Sequence, residues 1–190
     1  MATPFAEPKT DAEAQRLKAF LEKGARVSLE TLETFELTEP VIARLREPGT
    51  LKFDVTGERL QGLAGDDPSK RVTVTLDVGA VLNPQDFFVR VFIGNPEASE
   101  DIDPEDPSSR GGFSFFCEVE AQEPGMLCPI KGNPLRIVSE VSSALRELRE
   151  PGESLIVSLV LVPLIDTQEA AVQVDRAEIS VLQSTVELAE

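Results

Sequence analysis

The sequence predicts a mainly β protein: an antiparallel β-sandwich of immunoglobulin or jelly-roll type, with a helical N-terminal extension and one short inserted helix. Three observations carry this. From Leu51 onward at least six short segments read as strands, by a two-residue alternation of apolar and polar residues or as apolar runs of strand length. Polar loops containing Pro and Gly separate them, as in all-β sandwiches. The strands do not alternate regularly with helices, which argues against a parallel doubly wound sheet. The reading divides the chain into a helical extension over 1–50 and a sandwich domain over 51–190.

The extension begins with a capping box. Thr10 is followed three residues later by Glu13, placed to reach back to the Thr10 amide. Ala14, Leu17, Phe20 and Leu21 recur at helical spacing, and Gly24 closes the helix. Residues 26–37 are ambiguous. Val27 and Leu29 alternate, whereas Leu29, Leu32 and Phe35 step by three. Thr38 is set to cap a second short helix carrying Val41, Ile42 and Leu45, ended by Pro48-Gly49.

The strands follow. Leu51, Phe53 and Val55 share one face, and Val72, Val74, Leu76 and Val78 share another. Phe88–Ile93 is apolar on both faces apart from Arg90, as in a strand covered on two sides. Phe113, Phe115, Cys117, Val119 and Ala121 lie on one face of a further strand, with Phe116 on the other. Leu155–Val162 is an apolar run of strand length, broken only by Ser158. The alternation of Val172 and Val174 changes phase before Ala177, Ile179 and Val181, so a turn or bulge is expected near Asp175-Arg176. The inserted helix is read from Val138, Val141, Leu145 and Leu148, with Pro151-Gly152 as its end. Leu-Arg-Glu-Pro-Gly occurs at Leu45–Gly49 and again at Leu148–Gly152, read as two helix stops built from the same residues.

Composition limits the chemistry. The 190 residues include no histidine, tyrosine or tryptophan. A Ser-His or Cys-His nucleophile pair and an imidazole-ligated metal are therefore excluded. The charge balance is 18 basic against 34 acidic residues, a net of −16. Such a polyanion is not expected to bind nucleic acid or an anionic membrane. The acidity reads as solubility, with a basic protein partner as the functional alternative. No apolar run is long enough to span a bilayer and no signal peptide is visible after Met1, so cytoplasmic placement is expected.

Four segments, in order, carry a family resemblance. They are Phe88-Val89-Arg90-Val91-Phe92-Ile93, Gly111-Gly112-Phe113-Ser114-Phe115-Phe116, the helical stretch Leu135–Leu148, and Val157-Ser158-Leu159-Val160-Leu161-Val162-Pro163. Their sequence and spacing resemble the C-terminal β-sandwich (KFDV-type) domain of plant-type polyphenol oxidases and tyrosinases. A literal Lys52-Phe53-Asp54-Val55 also occurs, earlier than the family order places it. In that family the domain covers the dicopper site of a separate histidine-rich catalytic domain and shields it with an inserted side chain. The present chain lacks the copper-ligating histidines, and Cys117-Glu118-Val119-Glu120 replaces the family's Pro-His-Lys-His stretch. The resemblance therefore implies a lid-like sandwich without oxidase activity. Its role would be interaction, shielding or assembly, with a separate protein or with itself, and with no cofactor of its own.

The candidate partner-binding residues are Phe113, Phe115 and Phe116, set against the plainer reading that all three fill a core. Cys117, Met126 and Cys128 offer soft sulfur ligands suited to Cu(I), an alternative role in copper handling for an oxidase. The plainer reading is that Cys117 is a small core hydrophobe. Asp101, Asp103, Glu105 and Asp106 approach calcium-loop spacing but lack its glycine and final glutamate, so a solvated acidic loop is expected. A carboxylate-dependent hydrolase is the remaining alternative, although no carboxylate pair stands out.

Overall fold

The computed structural model describes residues 25–65, 67–103, 105–115, 126–132, 134–148, 152–166 and 169–188. In chain order its elements are β1 (Ala25–Leu37), β2 (Val41–Arg44), β3 (Gly49–Thr56), α1 (Gly57–Ala64), β4 (Lys70–Leu82), β5 (Phe87–Ile93), β6 (Ser109–Phe113), β7 (Cys128–Pro129), β8 (Leu135–Glu140), α2 (Ser142–Arg146), β9 (Ser154–Pro163) and β10 (Ala171–Leu188). Every ladder between these strands is antiparallel.

Two sheets result. The six-stranded sheet is built around β10 and β4, which pair along most of their lengths. On the other side of β10 lie β1 and β2, end to end, and on the other side of β4 lie β8 and β7. The four-stranded sheet has the order β3-β9-β5-β6. The period-two pattern aims one face of each sheet at the other. Val72, Val74, Leu76, Ile179 and Val181 meet Leu51, Phe53, Phe87, Val91, Val157 and Leu159 in one continuous core. The mainly β, two-sheet sandwich predicted from the sequence is the fold observed.

β5 is covered on both faces, as its run of apolar residues, interrupted only by Arg90, requires. Phe92 points away from the main core and packs with Val160, Ala98 and Ile102 of the connection after β5. Arg90 shares that outer face and is almost fully buried. Its guanidinium donates to the carbonyls of Ile102 (2.5 Å) and Asp103 (3.1 Å) and lies 4.7 Å from the centroid of the Phe92 ring. A buried cation is tolerated only where its donors are used, and here two loop carbonyls use them. The long connection is thereby fastened to the sheet.

The expected bulge near Asp175 is present. The β10–β4 register shifts between Gln173 and Val174 and again between Val174 and Arg176. Opposite it stands Gly79, where an added Cβ would come within 1.8 Å of the Asp175 carboxylate. Glycine is needed there because the side chain of Asp175 occupies the space.

Several local expectations are corrected. The helix expected over residues 10–24 lies outside the described residues. The stretch 26–37 is a strand; its register shifts between Thr31 and Glu33, leaving Leu32 as an extra residue. That bulge produces the three-residue step of Leu29, Leu32 and Phe35, which imitates helical spacing. The short helix expected after Thr38 is instead β2, whose backbone is satisfied by β10. One isolated helical turn leaves most of its backbone groups unpaired, whereas a ladder pairs them. Residues 25–50 thus belong to the sheets, and the expected boundary at 50/51 falls inside β3. Leu45–Gly49 stops no helix: it is the β2–β3 turn, with Arg46 in the left-handed region at φ 62. The inserted helix is shorter than its stripe, since Val138 lies on β8 and only Ser142–Arg146 are helical. α1 was not expected. Thr56 caps it, its hydroxyl accepting from Arg59 N at 3.2 Å.

Candidate functional site

The phenylalanine cluster starts from β6. Antiparallel pairing sets Phe113 opposite Val89 and carries the chain on towards Phe87. Phe115 is buried, its ring 5.6 Å from Phe87 and 5.5 Å from Phe113. Phe113 is half-buried and packs on the same core. The tilted and edge-on ring contacts are those of packed aromatics. Phe113 and Phe115 therefore close one end of the sandwich from within. Phe116 and Cys117 lie outside the described residues.

The same end of the fold gathers exposed apolar side chains. Phe87 pairs with Pro163, and Leu164 N donates to Asp86 O at 2.8 Å, so the segment after β9 lies against the β4–β5 turn. On this segment Leu164 and Ile165 are 58% and 57% exposed. β7 pairs with Ala80 and Val81, just before the same turn, and brings Met126 to this end, also more than half exposed. Sequence reasoning missed Leu164 and Ile165. The available signal was an apolar pair beyond Pro163, where the strand period had already stopped.

Of the sulfur candidates, Met126 and Cys128 fall among the described residues. Cys128 is half-buried, with its thiol directed at the Met126 carbonyl at 3.5 Å, and Met126 points outward. The acidic connection is organised by its own backbone. Asp103 Oδ1 accepts from Glu105 N at 2.9 Å, and Asp106 Oδ1 accepts from Ser108 N at 2.8 Å. Such turns are the usual local use of Asp. Among the described residues no group of three or more Cys, Asp or Glu side chains is placed to hold a metal ion.

Electrostatic shifts lie away from this end. The Arg136 guanidinium grips Asp77 with two hydrogen bonds of 2.8 and 3.1 Å and holds its carboxyl below the ordinary carboxylate range. The same contact raises Arg136. Asp67 is lowered by the hydroxyl and amide of Ser69. A shallow pocket of about 260 Å³ lies between α1 and α2, lined by Gln61, Ala64, Gly65, Ser142, Leu145 and Arg146. Its floor is tied by Gln61, whose amide donates to the Leu145 carbonyl. Among the described residues no helix is long and apolar enough to cross a membrane.

No family model matches the chain, and no curated protein sequence matches it. Solved structures do resemble it. One is a latent aurone synthase, a polyphenol oxidase, taken from its natural source: 14% identity over 81% of this chain and 26% of that one, with a TM-score of 0.38. Another is the recombinantly expressed latent aurone synthase: 13% identity over 81% of this chain and 25% of that one, with a TM-score of 0.35. The chain spans about a quarter of the length of these polyphenol oxidases.

Proposed function

We propose that this protein is a non-enzymatic docking module that covers a surface of a separate protein with one end of its sandwich. The observation that carries the reading is the pair Leu164 and Ile165, each more than half exposed beside the aromatic closure of the core. Exposed apolar side chains gathered around a packed end are what an interface uses. Phe113 and Phe115 support the surface from beneath, as core side chains. The surrounding net charge of −16 favours a partner with basic groups at its rim. The family resemblance of the sequence supplies the specific form: a lid for a histidine-bearing copper oxidase domain on another chain.

The test is affinity capture from the native host with the wild-type protein and with Leu164→Asp/Ile165→Asp. The expected result is a discrete partner held by the wild type and lost by the variant, both proteins melting at similar temperatures. A partner held equally by both overturns this assignment of the surface.

A further inference from the structure

Each sheet edge raises the same question: what prevents a second strand from adding to it. β1 is interrupted by its bulge at Leu32. β6 contains Gly111 and Gly112, and β3 exposes Lys52 and loses register before Thr56. β8 has neither a bulge nor a glycine, and its exposed charges, Arg136 and Glu140, are of opposite sign. Its sequence, Leu-Arg-Ile-Val-Ser-Glu, has no Pro, Gly or Lys, and its ladder with β4 runs without a shift from Leu135 to Glu140.

The phase of that ladder is fixed. Val141 N donates to Val72 O at 2.8 Å, and the register continues through Val74–Ser139, Leu76–Ile137 and Val78–Leu135. Hydrogen-bonded pairs alternate in an antiparallel ladder. Leu135, Ile137 and Ser139 therefore turn their backbone groups to β4. Arg136, Val138 and Glu140 turn theirs outward, and no described strand pairs with them. The side chains of these three residues share the outer face of the sheet. Val138 at its centre is 59% exposed; the other exposed large apolar groups of this sheet, Leu29, Leu32 and Ile42, lie on β1 and β2, beyond β10 and β4 from β8.

We propose that β8 is a self-recognition edge, where a second copy of this chain pairs antiparallel about a two-fold axis at Val138. This centre sets Val138 against its counterpart, and Arg136 against Glu140 of the other copy in both directions. The three outward-facing backbone positions of each strand meet in a hydrogen-bonding register. The sequence is thus complementary to itself in charge, in apolar contact and in backbone phase at the same centre. Arg136 is already oriented by Asp77, and Glu140 by its acceptance from Ser142 N at 2.8 Å. Two copies at −16 each repel at long range. The repulsion fades when the screening length falls to about 8 Å near physiological ionic strength, so pairing strengthens from low to moderate salt. This edge is separate from the docking end and stands or falls independently of it.

Sedimentation equilibrium from micromolar to millimolar concentration tests the inference. The wild type is expected to rise from 20.7 kDa towards twice that mass, while Val138→Lys stays monomeric with an unchanged melting temperature. Arg136→Glu and Glu140→Arg alone each oppose like charges across the axis and should also stay monomeric. Mixed in equal amounts they place Glu opposite Arg at both ends, and a heterodimer should form. A folded wild type that remains monomeric throughout overturns the proposal and leaves the edge to a strand of another protein. So does a Val138→Lys variant that dimerises as well as the wild type, or a mixture that forms no heterodimer.

Discussion

Arg90 shows how one residue decides the state of a long connection. Its guanidinium satisfies two carbonyls and lies over Phe92, beneath a loop with few other apolar contacts. Arg90→Met keeps the buried stem but orphans both carbonyls, which costs about 1–3 kcal/mol. A lowered melting temperature and new protease cleavage within residues 97–107 are expected. Arg90→Lys should rescue little, because a single ammonium does not reproduce the planar fork. Asp77 makes a second prediction, readable against pH. Its carboxyl is lowered in the folded state by Arg136. Its stabilising contribution is therefore complete above the unfolded-state value of about 3.9 and is lost as pH falls through the lower folded value. The difference in melting temperature between wild type and Asp77→Asn should be constant from pH 7 to pH 5 and should shrink below about pH 4. A difference that persists unchanged into acid contradicts the assignment.

At the scale of elements, the strands were legible wherever a two-residue period, or an apolar run of strand length, was unobscured by a bulge. β3, β4, β5 and β9 were readable because each buries one or both faces against the same core. The bulge of β10 was readable from its phase change. β1 was obscured by a bulge, since Leu32 shifts the pattern by one and makes it resemble a helix. β2 was misread because Val41, Ile42 and Leu45 fit a helical period, whereas in the strand Val41 and Ala43 turn inward and Ile42 outward, and pairing with β10 decides it. α1 contains Gly57 and Gly62, which are poor helix formers, although Thr56 is a good cap for it. Thr56→Ala should cost about 1 kcal/mol, measured as a shift in the urea midpoint. A midpoint equal to the wild type would show that packing alone holds this helix. The candidate site was legible only in its aromatic half. Phe113 and Phe115 announced a cluster, but which rings are core follows from their pairing with β5. Leu164 and Ile165 carry no periodic signal because they lie in a loop.

For the whole molecule, the two proposed surfaces are separate. The outer face of the larger sheet is polar, with Arg136–Asp77 and Arg176–Glu36 pairs across its strands. Exposed apolar groups interrupt it at Leu29 and Ile42 and, on the β8 edge, at Val138, the proposed site for a second copy. The end of the sandwich carries Met126, Leu164 and Ile165, the proposed docking surface for a different protein. The most direct test is titration calorimetry of the captured partner against three proteins: wild type, Leu164→Asp/Ile165→Asp and Val138→Lys. The account predicts equal affinity for wild type and Val138→Lys, and at least a tenfold loss, about 1.4 kcal/mol, for the double variant. Equal affinity for all three would contradict it.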